Sequence, residues 1–526
     1  MNYARYATVH ARHLPDKTCL IERTPSKNER RTLTWRQFND EINKTANYLS
    51  KELGIKDGDF VMHLQNNSFE WLITYYGIIK IGAVVVPLNF RFLGSDILYA
   101  AKICNPKVFI IGSEFLEVVQ PVQKDLNTVE KYICVGEKVP DDMIDYKTIA
   151  ASDDVSEAML DVDDQHNLAM MFTSGTTGDP KPVLHTHYSL NNTAIGNGMS
   201  YFVEKNDNYV FYLPLYHSGT MFLWAPFYAT GAVGTILREF TDPKWIIEAM
   251  AEEKGTDVLF VVPIAIAILN SISSGDINLS DYDLSSWKYM EIGAQPVPFD
   301  VLKRLVDILP CGVSNIYGIT EGGGGGLFNL YPDEVLEKPG SIGKPTFGIE
   351  GKIVGLEGKE LPPGEVGELV FKTNRMMKEY FNNPEMTEKT LKDGWLYTGD
   401  LLKIDEEGYF YIVDRMKDMV TSGGENIFPV EIEDALMDHP KIDDLACIGY
   451  PDERLVEVVL AIVQLKEGES MTEEEVIEFA KSKLATYKVP RKVLFDPVLR
   501  NPTGKLMKPQ MREKYTGRKE AFQKLD

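Results

Sequence analysis

Cysteine is scarce and positive charge is in deficit in this 526-residue chain. The five cysteines, at 19, 104, 134, 311 and 447, are odd in number, widely spaced and form no C-x-x-C pair. That argues against a disulfide framework or a zinc site and for buried thiols in a reducing compartment. Against 78 Asp plus Glu stand 55 Lys plus Arg, a formal charge of −23. Such a field disfavours nucleic-acid backbones and anionic lipid surfaces, so an anionic substrate has to be met by a few local cations. No apolar signal core follows the start Met1-Asn-Tyr-Ala-Arg-Tyr6, and a cytoplasmic location is expected. The stretch from Tyr209 to Leu237 has no Asp, Glu, Lys or Arg, but Pro214, Gly219, Pro226, Gly231 and Gly234 interrupt it and His217 lies inside. A buried core and pocket wall is expected there rather than a membrane span, which needs ~20 predominantly apolar residues. Neither common nucleotide fingerprint occurs: there is no G-x-x-x-x-G-K-[ST], and the five glycines 322–326 match G-x-G-x-x-G only trivially.

What the chain does have is Met171-Phe-Thr-Ser-Gly-Thr-Thr-Gly-Asp-Pro-Lys181. The run from His166 to Phe172 reads as a buried strand, so 173–181 leaves the sheet edge as a loop. Gly175 and Gly178 permit tight turns and close backbone approach, Thr173, Ser174, Thr176 and Thr177 offer hydroxyl donors, and Lys181 adds a point charge. These are the ingredients of a phosphate cradle. Elsewhere the pattern alternates between helix and strand, as in the helical spacing of Phe38 to Leu53 followed by a strand at Phe60 to Leu64. Further strands are expected at 108–111, 258–262 and 367–371. The fold class is therefore α/β, and the length suggests roughly three to four domains or subdomains. A boundary is placed at the charged segment Asp414-Arg-Met-Lys-Asp418, giving domains 1–415 and 416–526. In the second, Thr472-Glu-Glu-Glu475 reads as a capping box ahead of an apolar helix face.

With Tyr317-Gly-Ile-Thr-Glu321, Tyr397-Thr-Gly-Asp400, Asp414-Arg-Met-Lys-Asp418, Ser422-Gly-Gly-Glu-Asn426 and Asn501-Pro-Thr-Gly-Lys505, the chain resembles the adenylate-forming enzymes. These include acyl-CoA synthetases, coumarate ligases, firefly luciferase and peptide-synthetase adenylation domains. The resemblance covers nearly the whole chain. It implies a large N-terminal domain of several α/β subdomains and a small mobile α+β C-terminal domain. It also implies a reaction in which a carboxylate and ATP give acyl-AMP and pyrophosphate, after which CoA takes the acyl group. ATP, Mg²⁺ and CoA are the expected cofactor and co-substrates. A carboxylate is the expected partner, and a homodimer is left open.

Carried over residue by residue, the resemblance makes Lys505 the cation that engages the α-phosphate and carboxylate during adenylation. Thr320 and Glu321 are catalytic, with Glu321 and Thr176 toward the metal, since Mg²⁺ takes hard oxygen ligands and substrate phosphates. Asp400 accepts the ribose hydroxyls, and Arg415 reaches the ribose or phosphates. Gly293, Ala294, Gln295 and Tyr317 sandwich adenine. Lys417 takes the hinge position, and Gly423 and Gly424 line the pantetheine tunnel. His217 sits at the junction of acyl pocket and thiol tunnel, while Tyr216, Trp224, Gly318 and Gly323 belong to the acyl pocket. Glycine at 318, where acetate-specific members carry tryptophan, implies an open pocket wall and a medium-chain, cyclic or aromatic acid. His185 and His187 receive no role. Two departures stand out: Pro182 follows Lys181 where the family has glycine, and Val456 replaces a glycine before Glu457. Transfer to a carrier protein and a non-catalytic nucleotide-binding role are the alternatives. Lys505→Ala is expected to slow adenylate formation by orders of magnitude, the scale of losing one strong transition-state donor. Thioester formation from supplied acyl-AMP should stay near the parent level; equal loss in both half-reactions contradicts the assignment.

Overall fold

The computed structural model describes residues 1–173, 180–355, 357–422, 425–452, 454–500 and 506–517, with 425 and 426 described by backbone alone. Among the described residues three sheets organise the chain. The eight-stranded sheet has a parallel centre of Asn167–Thr173, Val84–Pro87, Phe60–Leu64, Val108–Gly112 and Lys131–Val135. Lys181–Thr186 and Glu379–Tyr380 extend it antiparallel. The fourteen-stranded sheet is parallel through Val233–Leu237, Asn208–Phe211, Asp257–Val261, Tyr289–Gly293 and Gly312–Ile319. It then continues antiparallel through Gly324–Leu330, Ser341–Pro345, Phe410–Arg415 and Trp395–Ile404. The parallel strands are near-continuous apolar runs buried on both faces, as helix-covered parallel sheets require.

The helices Trp35–Asn47, Phe69–Lys80, His187–Tyr201 and Ser218–Thr230 contribute Trp35, Phe38, Trp71, Tyr76, Leu190, Trp224 and Tyr228 to one shared core with strands of both large sheets. The uncharged run 209–237 supplies a strand, the helix Ser218–Thr230 and a second strand. No helix among the described residues is long and apolar enough to cross a membrane. Pro226 lies inside that helix and cannot donate to the carbonyl four residues back, that of Phe222. Asn197 Nδ2 donates to the Phe222 carbonyl instead, at 3.1 Å. The orphan is thereby satisfied from the neighbouring helix.

The third sheet carries Val420–Ser422, Glu425–Ile427, Ile442–Asp452, Val456–Leu465 and Lys492–Phe495, packed with helices Pro429–Met437, Glu473–Lys483 and Lys508–Thr516. The Thr472 capping box is formed in both directions, Glu475 N–H to Thr472 Oγ1 and Thr472 N–H to Glu475 Oε2. Arg415 ends the last described strand of the large sheet and Val420 begins the small one. Just before Arg415, Asp414 accepts from the Val430 N–H at 3.0 Å. Buried pairs Lys508–Glu433 (2.8 Å) and Arg512–Asp418 (2.6 Å) pin the last described helix. Asp414 is pushed up to about 6, chiefly by burial.

The two departures behave differently. Pro182 sits in the strand Lys181–Thr186 opposite Phe172, and its carbonyl accepts from Phe381 N–H at 2.9 Å. Val456 has φ +72° and is 61% exposed, opposite Ser422. A β-branched residue in the left-handed region is strained, and at this position glycine would not be. Val456→Gly is expected to raise stability by about 1 kcal/mol, read as a higher urea midpoint of the full chain. A midpoint that falls contradicts the strain.

Candidate active site

The carboxyl ends of parallel strands of the large sheet supply Gly293 to Gln295, Tyr317 to Glu321 and the segment bearing Tyr216 and His217, where ligands bind in open α/β sheets. Tyr289–Gly293 ends at Gly293, Gly312–Ile319 ends just before Thr320, and Asn208–Phe211 leads into the segment bearing His217. Gly293 is required sterically, because a Cβ there would run into the Ile316 carbonyl oxygen. Ala294 follows at φ +68° and is exposed, and the Gln295 Oε1 is buried with no hydrogen-bond partner among the described residues. An unmet acceptor beside a strand end suits a ligand that brings a donor.

Tyr317, Asp400 and Arg415 meet. The Tyr317 hydroxyl donates to Asp400 Oδ2 at 2.6 Å, and Arg415 Nε lies 3.1 Å from Asp400 Oδ1. Asp400 and Arg415 are direct partners in neighbouring antiparallel strands, so the sheet register itself makes the pair. Burial first and the Asp400 carboxylate second push the Tyr317 phenol well above its ordinary range, so it remains a donor. The Asp400 charge likewise holds the Arg415 guanidinium protonated. Gly399, at φ +71°, turns the chain just before Asp400, and its N–H donates to Glu368 at 2.7 Å.

The turn Thr320–Gly322 is held from three directions. Thr320 Oγ1 lies 2.7 Å from Ser218 Oγ, at the start of the helix Ser218–Thr230. The Thr320 carbonyl accepts from His185 Nε2 at 2.9 Å. Glu321 accepts the Tyr380 hydroxyl on Oε1 at 2.8 Å and the Met377 N–H on its carbonyl at 2.7 Å. Lys181 places its ammonium 5.3 Å from the centroid of that same Tyr380 ring. Thr173 and Lys181 face each other in the strand register. Ser174, Gly175, Thr176, Thr177 and Gly178 between them, and also Gly423, Gly424 and Lys505, lie outside the described residues.

On the acyl side two expectations are corrected. Trp224 is wholly buried in the core: its indole N–H donates to the Tyr76 hydroxyl at 3.1 Å and its ring lies 5.0 Å from that of Phe211. The same helix presents Phe222 and Leu223 to the glycine strand, beside Gly324 and Gly325. Gly318 leaves no open wall, because a Cβ would overlap the Gly324 carbonyl; the glycine serves close strand approach. Gly323, at φ +100°, packs against Arg375, whose Cβ would lie 2.8 Å from one added at the glycine. His217 caps the helix Ser218–Thr230, its Nδ1 accepting from Gly219 N–H at 3.1 Å, and is exposed. Tyr216 beside it is half-buried against Phe90, ring centroids 5.5 Å apart. Lys417 is half-buried, between the strands that end at Arg415 and begin at Val420.

Sequence reasoning missed Tyr380, Ser218, His185 and Arg375. Arg375 is 2% exposed behind the glycine strand, donating to Asn197 Oδ1 at 2.8 Å and to the carbonyls of Gly326 and Phe347. Gly196 makes room for its guanidinium. The His185-Thr-His187 motif was the one visible signal among these, and it points to a carbonyl contact rather than a metal. No group of three or more His, Cys, Asp or Glu able to hold a metal occurs among the described residues.

The chain is similar to known proteins over most of its length. Residues 7–381 match the AMP-binding enzyme family and 431–505 its C-terminal domain. The chain is 34% identical over 488 residues to the long-chain-fatty-acid–CoA ligase FadD13 of Mycobacterium tuberculosis, covering 92% of this chain and 93% of that one. It is 32% identical over 487 residues to a feruloyl-CoA synthase of Amycolatopsis sp, covering 92% and 94%. The solved structure of ATP-bound MatB from Rhodopseudomonas palustris superposes with a TM-score of 0.86 at 26% identity, covering 98% of this chain and 99% of that one. The match over residues 7–381 and 431–505, with 34% identity to a CoA ligase over 92% of this chain, places it in the AMP-binding enzyme family of adenylate-forming ligases.

Proposed function

We propose that this chain is an AMP-forming acyl-CoA synthetase for a medium-chain, cyclic or aromatic carboxylate. The observation that carries the reaction is the Tyr317–Asp400–Arg415 contact close to the Glu321 turn: it supports a polar ribose site near an acid for metal-bound phosphates. Asp400 receives the ribose hydroxyls, Gly293 to Gln295 and Tyr317 flank the adenine, and Lys181 and Arg415 meet phosphate charge. A lone carboxylate at Glu321 fits Mg²⁺, which keeps several waters and binds through one or two carboxylates plus substrate phosphates. Held there, Mg²⁺ would supply charge neutralisation at the α-phosphate and the departing pyrophosphate. Carboxylate attack on the α-phosphorus forms the mixed anhydride and expels pyrophosphate; thiolate attack on the acyl carbon then forms the thioester and expels AMP. Positioning and electrostatics carry both steps. We assign domains 1–415 and 416–526 with the hinge at Lys417, supported by the change of sheet between Arg415 and Val420. Gly423, Gly424 and Lys505 are assigned on their motifs alone.

The substrate class rests on the acyl side. The segment Leu213 to Thr220 has no Asp or Glu to receive a substrate ammonium, which disfavours amino acids. The helix that follows meets the glycine strand with Phe222 and Leu223. Relatives named for long-chain fatty acids and ferulate support an apolar acid. A fatty acid–[acyl-carrier-protein] ligase of Streptomyces coeruleorubidus, 29% identical, keeps a carrier-protein acceptor as the second reading.

A panel of acids assayed for pyrophosphate release with and without CoA decides between these. Burying several methylenes at about 0.8 kcal/mol each gives acids of about six to ten carbons, or benzoate-like rings, a higher kcat/KM than acetate. CoA should convert the product to thioester and AMP. Acetate preference, or acyl-AMP that CoA does not consume, contradicts the reading. The corrected place of Gly318 adds a second expectation: Gly318→Trp separates the strands and lowers stability with every acid, measured as a fall in urea midpoint and in kcat/KM alike. A stable variant that gains acetate activity restores the open wall.

A further inference from the structure

His185 lies on Lys181–Thr186, the strand that begins at the phosphate-site lysine, and its ring is wholly buried. The Thr320 carbonyl can only accept, so Nε2 carries the proton and donates to it at 2.9 Å. Nδ1 is then left as an acceptor, 3.2 Å from the Ser189 hydroxyl, whose proton also has the Thr186 carbonyl within reach at 3.0 Å. Burial lowers the imidazole to about 4, so the ring stays neutral at physiological pH and keeps its single donor. The same carbonyl takes the Gly323 N–H at 3.2 Å, closing the turn that carries Glu321. The imidazole edge meets the Phe222 ring at 5.0 Å, 76° between planes, and Phe222 is the side chain packed under Gly324. One neutral ring thus touches the strand beginning at Lys181, the turn bearing Thr320 and Glu321, and the side chain under the glycine strand. A carbonyl in a 3₁₀ turn could be served by the Gly323 N–H alone. A buried histidine aimed at it from another sheet is a tie between sheets.

We propose that His185 is a positioning residue for adenylation: its Nε2–H fixes the Thr320–Glu321 turn relative to the phosphate strand, so that Glu321 and the Thr320 hydroxyl meet the metal and phosphates in register. This rests on the adenylation reading above. Misplacement of a catalytic group by about 1 Å can cost on the order of 10²-fold in rate, and the loss falls on the step that uses the turn. A purely structural histidine would instead lower stability without separating the two half-reactions.

The test uses the full chain and the variants His185→Leu, which removes the donor, and His185→Gln, whose amide can donate to the same carbonyl. Octanoate with MgATP reports pyrophosphate release, and octanoyl-AMP supplied with CoA reports thioester formation. In His185→Leu, kcat for pyrophosphate release should fall about 10-fold to 100-fold, with KM for MgATP within about 3-fold of the parent. Thioester formation from octanoyl-AMP should hold, and His185→Gln should recover most of the lost kcat. An unchanged kcat in His185→Leu overturns the proposal. So does equal loss in both half-reactions, or a glutamine variant as impaired as the leucine one. If the parent itself releases no pyrophosphate with octanoate or any acid of the panel, the adenylation reading fails first and His185 falls with it. If His185→Leu does not fold, the glutamine variant decides alone: a normal kcat supports the donor role, and a loss shared by both half-reactions overturns it.

Discussion

The carboxylate of Asp400 is the point on which the candidate site depends. It sits nearly buried in a strand of the antiparallel part of the large sheet. It is met from one side by the Tyr317 hydroxyl, carried by the last parallel strand, and from the other by Arg415, its partner in the adjacent strand. A buried carboxylate left alone is costly, and paired groups with good hydrogen bonds offset that cost. The pairing also fixes geometry. It ties the parallel half of the sheet, where Gly293 and Tyr317 sit, to the strand that ends at Arg415. Arg415 is therefore both a partner of Asp400 and the last residue of its strand before the chain leaves the large sheet.

Next to this lies a second constraint, the short turn at Thr320 to Gly322. Three elements hold it: the helix Ser218–Thr230 through Ser218, the strand Lys181–Thr186 through His185, and the strand Glu379–Tyr380 through Tyr380. The last two belong to the eight-stranded sheet and the turn to the fourteen-stranded one. The acid assigned to the metal is thus suspended between sheets. Preorganised groups of this kind are what electrostatic catalysis requires, because they need not reorganise as charge develops. The glycine run behind the turn serves packing. Phe222, Leu223, Asn197, Tyr201 and Arg375 fill the space that side chains at 323–326 would occupy.

Much of this was legible in the sequence, and the reasons are local. Strands at Phe60–Leu64 and Val108–Gly112, and the Thr472 cap, follow from apolar runs and hydrogen-bonding side chains a few residues apart. The motifs named Tyr317, Asp400 and Arg415 individually, and the fold brings them together. The rest depended on partners far along the chain. Trp224 reads as a pocket wall in an uncharged run, yet its partner Tyr76 is 148 residues away. Gly318 reads as open space, yet it is the contact face of another strand. Tyr380 is 59 residues from Glu321 and Arg375 is 178 from Asn197. No spacing rule reaches that far. Val456 is the converse case: its departure from glycine was visible in sequence, and the left-handed backbone explains why glycine belongs there.

The central claim is that Asp400, Tyr317 and the Gly293 to Gln295 segment form the nucleoside site. An experimental structure of the full chain with AMP bound tests it most directly. Both ribose hydroxyls should lie within hydrogen-bond distance of the Asp400 carboxylate, with adenine lodged against Tyr317 and the Gly293 to Gln295 segment. Nucleotide bound elsewhere, with Asp400 contacting only Tyr317 and Arg415, would contradict it.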